Sequence, residues 1–122
     1  MSLNVKTRKI DNVVIIDLSG RLTAGEPVLL FKETLRVQVN NGVRQFVLNL
    51  GEVSYIDSSG LGALVSAYTT VRNKQGDVKL LNLTAKAKDL LQMTKLLTVF
   101  DVYEEEAKAV GALKASASTT SA

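Results

Sequence analysis

Residues 46–62 read FVLNLGEVSYIDSSGLG, and the change of character inside that stretch decides the architecture. Phe46, Leu48 and Leu50 alternate, with Val47 also apolar, so Arg44 to Leu50 predicts a mostly buried strand. From about Ser58 the apolar spacing turns helical: Leu61, Leu64, Val65, Tyr68 and Val71 share one stripe of a helix expected to run to Asn73. A buried strand feeding a helix is the building unit of an α/β sheet, and such sheets usually carry their sites at this end of the strand.

Upstream, Val5 to Ile10 and Val13 to Leu18 are β-rich runs on either side of Asp11-Asn12, an expected hairpin. Val13-Val14-Ile15-Ile16 is apolar on successive residues, which implies burial on both faces. Gly20 is expected to end that strand. After the loop Arg21 to Gly25, Glu26-Pro27 suit a first helical turn. Val28, Phe31, Leu35 and Val39 then define an amphipathic helix closed by Asn40-Asn41-Gly42.

Downstream, Gly76-Asp77 turns the chain into a strand over Val78 to Leu83. Thr84 is a good N-cap for a helix with Ala87, Leu90, Leu91 and Thr94 on one side. Met93 and Leu96-Leu97 read as core, within or beside a short element from Leu96 to Tyr103. Glu104-Glu105-Glu106 suit the start of a last helix ending near Leu113. These elements predict one domain over residues 1–113. The Ala, Ser and Thr residues of the 114–122 tail have nothing to bury and are expected to be disordered.

The composition restricts the chemistry. A chain of 122 residues, 46% apolar and 22% charged, has room for one packed core and not two. Its 15 basic and 12 acidic side chains give +3, but the basic residues are scattered and few aromatics accompany them, which argues against direct DNA binding. No apolar stretch approaches the roughly 20 residues needed to cross a bilayer. The first nine residues lack a secretory signal's apolar region. No membrane insertion and a cytoplasmic location are therefore expected. There is no cysteine and no histidine, so thiolate nucleophiles, Cys or His metal sites and Ser-His-Asp triads are excluded. The expectation is a chain with no catalytic residues, no cofactor and no metal, and not an enzyme.

The helix start carries the candidate chemistry. Asp57 or Ser58 can cap it by accepting from a first-turn amide. Gly60 and Gly62 each cost about 1 kcal/mol relative to alanine in a helix, so something favours bare backbone there. Close packing explains Gly60, which lies beside the apolar stripe, more readily than Gly62, which points about 100° from Leu61. Close approach by another molecule is the competing explanation. An anion on Ser58 would suit the amides and dipole of the helix start, while its charge beside Asp57 would repel an acidic partner.

The phrase Asp57-Ser58-Ser59-Gly60-Leu61-Gly62, with Val53, Ile56 and the strand before it, resembles the phosphorylation motif of bacterial anti-sigma factor antagonists. Val14 to Leu22, reading VIIDLSGRL, and Leu90 to Tyr103, reading LLQMTKLLTVFDVY, resemble further segments of that family. The likeness covers about residues 4–113. It implies a STAS domain, an α/β fold with a mixed sheet of four to five strands and about four helices packed against it.

The resemblance also implies a switch. Ser58 would be the phosphoacceptor, with Asp57 positioning it and Ser59, Gly60, Leu61 and Gly62 forming the contacted helix start. The partners would be an anti-sigma factor that is a serine kinase, and a metal-dependent serine phosphatase. A weak homodimer stays open. Where many members carry an acid in the loop after the second strand, this chain has Thr23, with Glu26 three residues on as its substitute at the partner-binding surface. Two other readings remain: a STAS scaffold module in which Ser58 is only a cap, and a nucleotide-binding or hydrolytic enzyme. The last lacks both the G-x-x-x-x-G-K-[ST] loop and the third glycine of a dinucleotide fingerprint.

Overall fold

The computed structural model describes residues 3–120, with side chains described as far as residue 115. A five-stranded sheet in the order β1-β2-β3-β4-β5 forms its centre. β1 (Leu3–Ile10) and β2 (Val13–Leu22) form the expected antiparallel hairpin. Asp11 at its turn has φ of 54°, a left-handed conformation that aspartate tolerates better than most residues. β3 (Gln45–Ile56), β4 (Asp77–Leu81) and β5 (Asp101–Tyr103) add on in parallel. The sheet is therefore mixed.

The helices α1 (Glu26–Asn40), α2 (Ser58–Asn73) and α3 (Ala85–Met93) supply the connections. Their apolar stripes meet one face of the sheet. Phe31 and Leu35 of α1, Leu61 and Leu64 of α2 and Leu91 of α3 share a buried cluster with Val14, Ile16, Phe46, Leu48 and Leu80. On the other face, Ala109, Val110 and Leu113 of α4 (Glu106–Thr120) cover Val13, Ile15, Val47 and Leu81. This second layer is why Val13 to Ile16 is apolar without alternation.

Several boundaries differ from the sequence reading. β2 does not stop at Gly20: that residue adopts φ of 105°, register shifts flank it, and pairing resumes to Leu22 opposite Ile56. A glycine able to reach positive φ makes such a bulge inexpensive, so it bends the strand and does not end it. β3 likewise continues from Leu50 to Ile56, although its pairing with β4 ends at Asn49. Beyond Asn49 it is paired with β2 alone; β1 flanks β2 as far as Gly20, so among the described residues only Arg21-Leu22 and Tyr55-Ile56 form a two-stranded ribbon.

Met93 is 79% exposed, not core; it ends α3 on the side away from Ala87 and Leu91. α4 continues to Thr120, past the helix end expected near Leu113. Alanine is the best helix former, so the Ala/Ser/Thr run can prolong a helix already anchored at Leu113. Ser121 and Ala122, the end of the expected disordered tail, lie outside the described residues.

Candidate functional site

The ribbon made by the ends of β2 and β3 delivers Asp57 and Ser58 to one corner of the molecule. Asp57 is extended, with φ of −98° and ψ of −175°, and it is the N-cap of α2. One carboxylate oxygen, Oδ1, accepts from the Gly60 amide at 2.8 Å. The other, Oδ2, accepts from the Ala24 amide at 3.0 Å. In addition, the Asp57 amide donates to the Leu22 carbonyl at 3.4 Å. The aspartate thus ties the β2–α1 loop to the start of α2. Hydrogen bonds from the Ala24 and Gly60 amides, with a smaller contribution from Ser59, hold its carboxyl below the ordinary value against a modest desolvation effect.

That arrangement settles which residue caps the helix. Asp57 does so, and Ser58 occupies the first helical position with its side chain exposed. The structure gives the Ser58 hydroxyl no hydrogen-bond partner among the described residues. Ser59 and Gly62 are exposed as well. Hydroxyl, helix dipole and open backbone therefore face solvent together, a surface able to accept an anion or a close contact.

The two glycines have different surroundings. Gly60 is buried against the end of β2: a Cβ there would stand 2.1 Å from the Leu22 carbonyl oxygen. A Cβ on Gly62 would meet nothing within 4 Å. Packing thus requires Gly60 and does not require Gly62. Leu61 is 6% exposed and belongs to the core, so its side chain supports the helix start from beneath and offers little to a partner.

The residues taken from the preceding loop divide. Thr23 is half-buried, and its carbonyl accepts from the Val28 amide at 3.2 Å; it belongs to the loop that Asp57 holds. Glu26 is exposed and lines a shallow hollow with Leu3, Pro27 and Leu30, with no hydrogen bond to the Asp57 loop. Sequence reasoning missed two neighbours. The Arg21 guanidinium lies over the Tyr55 ring, 4.7 Å from its centroid, and the Ala24 amide is the second ligand of Asp57. The first follows once Arg21 and Tyr55 are known to be paired in register. A backbone amide leaves no mark in a sequence. No group of three or more potential metal-ligating side chains occurs among the described residues.

The family model of the STAS domain matches residues 4–109. The chain belongs to the STAS domain family. Among relatives of this STAS protein, the anti-sigma-B factor antagonist of Listeria monocytogenes is 31% identical over 112 residues, spanning 91% of this chain and 96% of that one. A Thermotoga maritima crystal structure superposes with a TM-score of 0.84 at 25% identity, covering 90% of this chain and 94% of that one. The Bacillus anti-sigma factor antagonist SpoIIAA, solved in its unphosphorylated form, shares the STAS fold with a TM-score of 0.70 at 20% identity, over 91% of this chain and 98% of that one. The STAS family is thus reached independently from the motif, the fold and its relatives, and the relatives place the chain among anti-sigma factor antagonists.

Proposed function

We propose that this protein binds an anti-sigma factor through the Asp57–Gly62 corner when unmodified, and that phosphorylation of Ser58 ends the binding. The observation that carries the reading is the separation of roles at the helix start. Asp57 makes the capping bonds, which leaves the Ser58 hydroxyl exposed and unbonded. The names of the relatives support the partner class, and a structurally similar protein, SpoIIAA, has also been solved in a phosphorylated form.

In this reading the anti-sigma factor is itself a serine kinase. It transfers the γ-phosphoryl group of its ATP to Ser58 Oγ, with loss of the hydroxyl proton. The modified side chain carries about −1.5 to −2 charges, placed where helix amides tolerate it but beside the Asp57 carboxylate. A partner that packs against Ser59 and Gly62 then has to desolvate that charge or face repulsion, which costs several kcal/mol. A metal-dependent serine phosphatase restores the binding form. Thr23 shapes the neighbouring loop, and Glu26 contributes at the periphery. No helix among the described residues is long and apolar enough to cross a membrane; the partner switching proposed here takes place in the cytoplasm.

Incubation of the chain with its cognate kinase and ATP, followed by peptide mass spectrometry, should locate one phosphate, on Ser58 and not on Ser59. The Ser58→Asp variant should lose the anti-sigma factor while its unfolding midpoint stays close to that of the unmodified protein. Undiminished binding by Ser58→Asp refutes the switch.

A further inference from the structure

Open strand edges invite further strands unless something blunts them, and this sheet blunts its outer two. β1 carries Lys6, Arg8 and Lys9, and β5 offers only three residues. A different edge is left on β3, whose pairing with β4 stops at Asn49 while the strand runs on to Ile56. Side chains close its first part. The Gly51 amide donates to Asn49 Oδ1 at 3.2 Å, and Asn82, which donates to the same oxygen at 3.4 Å, stands over Gly51. Along residues 53–56 no side chain hydrogen-bonds to the backbone among the described residues, and none of the four is charged.

Those four residues form one side of a groove of about 330 Å³, and α3 forms the other through Ala87, Leu90 and Met93. Only Val53 and Ala87 at its floor are core. Tyr55 is 45% and Met93 79% exposed, Ser54 is exposed, and Ile56 and Leu90 are half-buried. Main-chain groups on one side and accessible apolar side chains on the other are what an extended peptide needs: its own backbone bonds to the first, and alternate side chains pack on the second. A helix bonds its amides internally and an acyl chain has none, so neither matches the edge. A second copy of the chain does not match it either, because an edge of about 13 Å buries far less than the roughly 800 Å² per partner of a stable dimer.

We propose that residues 53–56 and α3 form a strand-addition site, which takes an extended segment of a protein partner with apolar side chains at alternate positions. The added strand bonds to β3 on the side turned from β2 and sets its side chains on Leu90 and Met93. Ile56 adjoins Asp57, so the groove is continuous with the corner at Ser58 and the segment belongs to the partner held there; that identity of the partner rests on the function proposed above.

The probe is an eight-residue peptide, acetylated and amidated, with lysine at each end, valine at positions 3, 5 and 7 and threonine at positions 2, 4 and 6. Added to the ¹⁵N-labelled full chain, it should shift the amides of residues 53–56 and of Leu90 saturably, and slow hydrogen exchange within 53–56 by about tenfold or more. Two further peptides carry backbone N-methyl groups, one on the three valines and the other on the three threonines. Successive residues of a strand point their amides to opposite sides, so one of these peptides should keep its affinity and the other should lose at least about tenfold. Met93→Glu, at an exposed position, should keep its helical circular dichroism and weaken both the unmethylated peptide and the purified anti-sigma factor by about fivefold or more.

Absence of saturable shifts at millimolar peptide overturns the proposal, as does equal affinity of the two methylated peptides. Undiminished binding of the anti-sigma factor by Met93→Glu also overturns it, and so does dimerisation of the chain through residues 53–56, which would make the edge a self-association surface. The peptide measurements use neither kinase nor anti-sigma factor, so they decide the strand-addition site even where the switch fails, and phosphate mapping of Ser58 decides the switch by itself.

Discussion

Gly60 and Leu22 approach so closely that a methyl group on the glycine would stand 2.1 Å from the leucine carbonyl oxygen. The neighbouring atom is backbone, at the end of a paired strand, so it cannot swing aside. This contact fixes the distance between the start of α2 and the loop that follows β2.

Gly60→Ala should therefore destabilise the protein by about 2 kcal/mol or more, as overpacking against a rigid wall does. Gly62→Ala meets open space and should stabilise it by about 1 kcal/mol through helix propensity. Urea unfolding of the two variants checks both signs. Equal effects would mean that the contact with Leu22 is not what requires glycine at residue 60.

The Asp57 carboxyl is held below its ordinary value by amide hydrogen bonds, so its contribution has a definite pH sign. The stabilisation is fully present above the unfolded value of 3.8 and is lost as the pH falls through the lower, folded value. Asp57→Asn should remove that portion of the acid dependence when stability is followed from pH 6 to pH 2. Hydrogen exchange at the Ala24 amide, one of the two donors, should accelerate in Asp57→Ala by on the order of tenfold.

Lys79 titrates at the opposite extreme. The side chain is 9% exposed and its amine lies 2.5 Å from Asp101 and 3.0 Å from Asp77. Desolvation pushes its pKa down, but the hydrogen bonds to the two carboxylates outweigh it and the net direction is up. The stability it gives is complete below the unfolded value of 10.5 and declines as the pH rises through the higher folded one. Lys79→Met should flatten the fall in unfolding free energy between pH 9 and pH 12, measured against the unmodified chain.

The α4 layer offers a comparison between apolar and ionic attachment. Leu113 is fully buried, and its carbonyl accepts from Gln45 Nε2 at 2.9 Å. Arg8 joins Glu106 of α4 at 2.7 Å and Asp17 of β2 at 2.6 Å, with more than a third of its side chain exposed. Leu113→Ala should cost about 2–4 kcal/mol. Arg8→Ala should cost under about 1 kcal/mol and lose its effect at high salt. Chemical denaturation in low and high salt separates the two.

Much of this was legible because the apolar spacing is regular where the core is regular. The Leu61–Val71 stripe located α2 from Ser58 to Asn73 without error, and the unbroken Val13–Ile16 run announced the two-sided burial that α4 completes. The strand ends at the site were not legible in the same way. Past Asn49 only β2 pairs with β3, and a strand with one open edge needs no strict alternation, so Gly51 to Ile56 carries no clean pattern. Gly20 gave the wrong signal because a strand end and a bulge both call for positive φ. Met93 misled for a different reason: thioether side chains are apolar wherever they sit, and only the helix orientation shows that this one points outward. The capping aspartate was one of two residues equally able to do the work; its second bond, to Ala24, depends on a loop 33 residues away.

The assignment of the cap to Asp57 has a consequence for protein lifetime. Because residue 58 contributes no bond that holds the helix, a chain with altered chemistry there should unfold globally as seldom as an unaltered one, and proteases that act on unfolded molecules should clear both at the same pace. Under the proposed switch, the ratio of the two forms among partner-free molecules would then record the opposing enzymes that write and erase the mark, undistorted by selective degradation. Pulse-chase half-lives of the wild-type and Ser58→Asp chains should coincide in cells that lack the anti-sigma factor, where no partner protects either form.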